Sequence, residues 1–171
     1  MVPARPGPPA SGRTNHDDPE SREPAEHLRF AAHLRAPEQV GDADEVDLII
    51  EVLTDPDPVM ARSGLVRHLD RRAGELHPGP AWDPWAASIA PAVIRDPFLT
   101  GRLREWALFR AIALRQPWQP NALPAASDWL RHKTAGAANP EALVLLAELG
   151  RTQRIRNTAL AGLRQQRFGR D

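Results

Sequence analysis

Asp44, Asp47 and Glu51 recur at helical spacing and share one face of a helix. Carboxylates grouped in this way can hold a divalent ion or work as an acid and a base. No partner Asp-rich motif stands elsewhere in the chain, so the reading is a solvated acidic face, with no metal site and no catalytic constellation. The six histidines, at 16, 27, 33, 68, 77 and 132, form no HExxH pair, and cysteine is absent. Thiolate metal sites, disulfides and a cysteine nucleophile are thereby excluded. His16, Asp17 and Asp18 read as a solvated turn, and His68 with Asp70, two residues apart, cannot face each other on a helix. Ser11, Ser21, Ser63, Ser88 and Ser127 lack a nucleophile-elbow context, and no glycine-rich phosphate loop follows a strand. Recognition is the chemistry left open, with no cofactor expected. Five tryptophans exceed four phenylalanines: Trp106 reads as core, while Trp82, Trp85 and Trp118 stand near helix ends or in proline-rich connections. There they act as wedges between helices or as anchors for a partner.

The elements that must position these residues are helices. The chain has 171 residues, 22 basic and 22 acidic, a length that suits one domain. Of the basic residues only Lys133 is lysine. No apolar run approaches a membrane span and no apolar signal region opens the chain, so the expectation is a cytoplasmic protein without a membrane partner. Residues 1–24 hold six prolines and almost no large apolar side chains, and read as a disordered tail. Residues 25–169 read as an all-helical domain, with helices near 25–36, 43–54, 58–76, 84–94, 98–115, 123–134, 140–149 and 152–168. Asp57-Pro58, Asp83-Pro84, Asp96-Pro97 and Asn139-Pro140 each offer an N-cap oxygen followed by a proline at the first helical position. Gly150 reads as a helix stop.

The turns Asp55-Pro56-Asp57-Pro58 and Asp96-Pro97 lie about forty residues apart and each joins two apolar helices, a spacing in the range of HEAT and armadillo repeats. In the last hairpin, Ile155-Arg156-x-x-Ala159-x-x-x-Leu163 resembles the second-helix pattern of the HEAT-repeat family. Ile89-x-Pro91-x-Val93-Ile94 is similar to that family's proline-bearing first helix, and Asp96 with Arg102 is similar to its Asp and Arg ladder. The resemblance covers about residues 43–115 and 139–168. Gly101, Glu105 and the Gly150–Gln153 turn depart from the pattern, and the segment with Pro117, Pro120, Pro124 and Trp129 breaks the period. The fold expected is a short HEAT-like α-solenoid of about eight helices, with an irregular single helical bundle as the alternative.

Arginines occupy the apolar arcs of several helices. Arg62 lies within the arc of Val59, Leu65, Val66, Leu69, Ala73 and Leu76, and Arg102 and Arg110 lie within that of Phe98, Leu99, Leu103, Trp106, Phe109 and Leu114. Arg156 is flanked by Ile155, Ala159, Leu160 and Leu163. A cation on an apolar arc requires acceptors. Arg62, Arg102 and Arg156 are therefore expected to bond to Asp side chains or carbonyls in inter-repeat turns, as a structural ladder that includes Asp96.

Charge is segregated between alternate helices. The three first helices with their turns (42–57, 82–96 and 139–150) total −10, and the three second helices (58–76, 98–115 and 152–170) total +10. In HEAT-like proteins the second helices line the concave surface, so the resemblance implies a basic inner face. Arg67, Arg71, Arg104, Arg115, Arg164 and Arg167, with Trp118, are the candidate contacts for another protein or an acidic peptide. The function expected is a non-catalytic adaptor or scaffold. The alternative is nucleic-acid binding or processing, by resemblance to the HEAT-like alkylpurine DNA glycosylases, with Trp106, Trp118, Asp128 and Trp129 as candidates.

Overall fold

Local side-chain chemistry starts most of the helices. The computed structural model describes residues 44–137 and 139–168, and every regular element among them is helical. These are α1 (Glu45–Leu53), α2 (Pro58–Leu76), α3 (Trp82–Val93), α4 (Pro97–Ala113), α5 (Ala122–Ala125), α6 (Asp128–Ala135), α7 (Pro140–Leu149) and α8 (Gln153–Phe168). The expected tail over 1–24, the helix near 25–36 and His16, His27 and His33 lie outside the described residues. Asp57 accepts from the backbone N–H groups of Val59 and Met60, Asp96 from those of Phe98 and Leu99, and Asn139 from that of Ala142. Each oxygen satisfies donors that the first helical turn leaves free, worth about 1 kcal/mol per cap.

Two boundaries differ from the sequence expectation. Asp83 does not cap α3, which begins at Trp82 with Ala81 as its uncapped N-cap. Burial of the Trp82 ring draws that residue into the helix, and Pro84 is tolerated because first-turn N–H groups have no intrahelical acceptor. The single helix expected over 123–134 is divided into α5 and α6. Ser127 adopts an extended conformation and its hydroxyl accepts from the N–H of Leu130, which starts a new helix where the old one would have continued. Gly150 does end α7, through its N–H to the Leu146 carbonyl. Its φ of −59° suits any residue, so the glycine is required by close approach. A Cβ there would run into the Leu146 carbonyl and lie 3.0 Å from the Ile155 side chain.

Neighbouring helices pair α1 with α2, α3 with α4, α5 with α6 and α7 with α8, the last pair most extensively. Alternate helices also meet: α2 packs on α4, α4 on α6 and α6 on α8, while α1 packs on α3 and α5 on α7. The core between them is aliphatic and aromatic, with Ile49, Leu65, Leu69, Ile89, Leu99, Trp106, Ile112, Leu143, Leu146 and Ile155 all buried. Four residues assigned to apolar arcs are instead exposed, namely Val59, Phe98, Leu114 and Leu160. Val59 and Phe98 each follow a helix-starting proline.

Candidate partner-binding surface

The arginines divide into two sets. Those on the inner sides of their helices are held by intramolecular acceptors. Arg62 Nε donates to Asp96 Oδ2 at 2.9 Å, so α2 is tied to the turn that starts α4. Burial alone would raise the Asp96 carboxyl, but the N–H of Leu99, the Arg62 guanidinium and the N–H of Phe98 together hold it below the usual range.

Arg102 and Arg156 take partners other than the inter-repeat turns expected for them. Arg156 Nη1 donates to the Gly150 carbonyl at 2.6 Å, and Nη2 to Gln153, which closes its own hairpin. Arg102 lies 3.8 Å from Asp70, a residue in the middle of α2, and its guanidinium sits 3.8 Å from the centre of the Trp129 ring. Its buried Nη1 has no hydrogen-bond partner, and the ring face is the favourable contact that replaces one. An inter-helix turn is instead bonded by Arg110, whose Nε donates to the His77 carbonyl at 3.0 Å and whose Nη2 approaches Asp83 at 3.5 Å.

Around Arg102 lies a cluster of rings and cations. Trp106 donates through Nε1 to Asp70 at 2.8 Å and meets Trp129 edge-on. Lys133 places its ammonium 4.3 Å from the Trp106 centroid and 4.9 Å from that of Phe109. Burial among these rings lowers the Lys133 pKa, against the opposing pull of Asp70. The structure thus brings Trp106 and Trp129 together, with their faces already occupied by the chain's own cations. Asp128 pairs with Arg131, which also donates to the Pro124 carbonyl, and Trp118 lines a different cleft.

A second buried polar cluster had no sequence signal beyond its residue types. Glu45, at the first position of α1, is 3% exposed and His68 is 5% exposed. His68 Nε2 lies 2.5 Å from Glu45 Oε1, and Trp85 Nε1 donates to Glu45 Oε2 at 3.1 Å. Arg72 Nε adds a longer contact of 3.4 Å to the same oxygen. Arg71 Nη2 stands 3.3 Å from His68 Nδ1. Burial would push the Glu45 carboxyl up, but the hydrogen bonds from His68 and Trp85 and the electrostatic attraction of His68 and Arg72 hold it below the ordinary value. Trp82 and Trp85 are both buried, with ring centroids 5.4 Å apart, and so are wedges between helices. The cluster ties α1 to α2 and α3, with Glu45, His68 and Trp85 buried at its centre.

The outward arginines behave differently. Arg67, Arg104, Arg115, Arg164 and Arg167 are all exposed, with no hydrogen bond or ion pair among the described residues. Arg71 leaves the expected contact set: it is half-buried and engages Glu75 at 3.2 Å as well as His68. Asp44, just before α1, and Asp47 and Glu51 on it are exposed, and no three His, Asp or Glu side chains among the described residues gather as a metal-holding group. No helix among those residues is long and apolar enough to cross a membrane.

Two of the expected contacts, Arg115 and Trp118, come together. They line a shallow cleft of about 520 Å³ between the end of α4 and the start of α7, with Pro117, Asn139, Pro140 and Glu141. The cleft is fixed from below by Asn139, which caps α7 and donates through Nδ2 to the Ile112 carbonyl at 2.8 Å. Arg115 has a φ of 56°, the only positive φ on a residue other than glycine among those described. It stands just past the end of α4, where Gln116 N–H bonds to the Ala111 carbonyl and Arg115 N–H to that of Ile112. This is a Schellman closure, in which glycine is the ordinary occupant and a side chain costs about 1 kcal/mol.

No protein-family model, curated protein or solved structure matches the chain.

Proposed function

We propose that this protein is a non-catalytic adaptor that binds an acidic segment of another protein, with the Arg115–Trp118 cleft as its primary contact. The observation that carries the reading is the left-handed backbone of Arg115. Glycine would close α4 there without strain, yet the position holds an exposed cation beside a half-buried tryptophan. Strain kept at an exposed position is a mark of a residue retained for contact. Tryptophan and arginine are also the side chains that dominate interface energetics. The unpaired Arg67, Arg104, Arg164 and Arg167 extend the positive field over the even-numbered helices and steer an acidic partner toward the cleft.

We further read the layered pairing of alternate helices as a short HEAT-like stack. The Arg62–Asp96 bond between α2 and the α3–α4 turn supports that reading, because it joins consecutive hairpins.

Arg115→Gly tests the functional proposal, because it moves stability and binding in opposite directions. Relief of the left-handed strain should raise the unfolding free energy by about 1 kcal/mol. The same change should weaken capture of a protein partner from nuclease-treated lysate, as should Trp118→Ala. A stabilised Arg115→Gly protein that captures its partner undiminished would refute the assignment of the cleft. Material lost on nuclease treatment would point to nucleic acid instead.

A further inference from the structure

On the odd-numbered layer, away from the Arg115–Trp118 cleft, the chain leaves an apolar groove of about 500 Å³ between the C-terminal ends of α1 and α3 and the start of α2. Its walls are Ile50 and Leu53 from α1, Pro58 and Ala61 from α2, Pro91 from α3 and Ile94 just past its end. Ile50 is 48% exposed and Ile94 is 64% exposed, the latter in the turn that follows α3. Two aliphatic side chains on one groove, each open to solvent over about half its surface, gain by burial at roughly 25 cal/mol per Å² covered.

The charges beside the groove identify what would cover it. Asp47, Ile50, Glu51 and Thr54 form one exposed stripe along α1 at positions i, i+3, i+4 and i+7. Among the described residues Asp47 and Glu51 have no hydrogen-bond or ion-pair partner for their carboxylates, and they stand beside Ile50 on that exposed stripe. Asp96, which also lines the groove, is spent on Arg62 and on capping α4, so it adds no free charge. Arg95 supplies the one cation on the wall, at the end of α3.

From this arrangement we infer a second docking site, for an amphipathic helical segment of a partner protein. Its aliphatic face would lie in the groove and its Lys or Arg side chains would pair with Asp47 and Glu51. Such a segment follows the helix-in-groove mode, with anchors spaced three and four residues apart on one face. The site differs in sign from the arginine surface on the even-numbered layer, so the two take partners of opposite charge. The inference does not depend on the Arg115–Trp118 cleft.

A phage-displayed library of random 12-residue peptides, panned on the full chain, tests it. Enriched sequences should place two or more aliphatic residues at three- or four-residue spacing with Lys or Arg beside them. As synthetic peptides they should bind Ile50→Asp or Ile94→Asp protein about tenfold more weakly, and Asp47→Asn/Glu51→Gln protein about threefold more weakly with a smaller salt dependence. All four positions are exposed, and unchanged circular dichroism and melting confirm the fold of each variant. Should either aspartate variant unfold, Ile94→Ala keeps the test open. Enriched basic amphipathic sequences that bind the groove variants unchanged would overturn the site, as would enrichment confined to acidic sequences that are lost on Arg115→Gly. So would panning that enriches nothing.

Discussion

At the α1–α3 end buried polar groups converge on a carboxylate, whereas between α2, α4 and α6 half-buried cations rest on aromatic faces. Glu45 accepts from His68 and Trp85 and lies beside Arg72, so one acid satisfies three donors. Arg102 and Lys133 have Asp70 as the nearby acid, and the rings of Trp129, Trp106 and Phe109 supply the rest of their surroundings. A carboxylate holds its donors by directed bonds, and its loss strands every one of them. Ring faces attract cations without direction and tolerate an unbonded Nη1, as Arg102 shows. The two clusters therefore differ in how sharply each fails when a member is removed.

The largest break is expected from Glu45→Ala. It leaves His68, the Trp85 Nε1–H and Arg72 without their shared acceptor, and should lower the unfolding free energy by about 3–5 kcal/mol in chemical denaturation. Trp129→Ala strips the ring from Arg102 and the edge-on neighbour from Trp106. Because Trp129 is half-buried, the loss should be smaller, about 2–3 kcal/mol by the same measurement. If the second variant proved the more damaging, the comparison would be inverted.

Acid sharpens the contrast. The folded Glu45 carboxyl lies below its unfolded value, so its stabilising contribution is complete above the unfolded pKa of about 4.3. That contribution is lost as pH falls through the lower folded value. Asp96 shifts in the same direction through Arg62 and its capping bonds. Denaturation midpoints measured from pH 6 down to pH 2 should fall steeply in the parent protein and less steeply in Glu45→Gln. Trp129→Ala should leave the slope of this acid limb unchanged.

The smallest effect is expected at Lys133. Replacement by Met keeps an unbranched stem one atom shorter against the rings while removing a charge that burial disfavours, so stability should change by less than about 1 kcal/mol in either direction. A larger loss would show that the Lys133 ammonium, rather than its stem, holds the rings together.

How far these features could be read from sequence depended on the range of the interaction. Asp57, Asp96 and Asn139 act on N–H groups two or three residues ahead, and their pairing with a following proline was visible in the chain. Asp83 has the same signature, but burial of Trp82 overrode it. Arg115 and Trp118 were both marked by the sequence as candidate contacts. Their meeting in one cleft, and the left-handed backbone that carries Arg115, were not, because both follow from how α4 ends against α7.

Sequence by itself determined that the domain is helical, where most of its helices begin, and that its acids and bases lie on alternate helices. These follow from periodicity, capping and charge order, which act within a few residues. Tertiary structure decided which charges are spent and which are free. Glu45 meets His68 across 23 positions and Arg62 meets Asp96 across 34, while Arg102 turns to a ring instead of a turn carbonyl. Such choices depend on which side chains arrive within about 3 Å of one another after the helices pack, and no local rule supplies that distance.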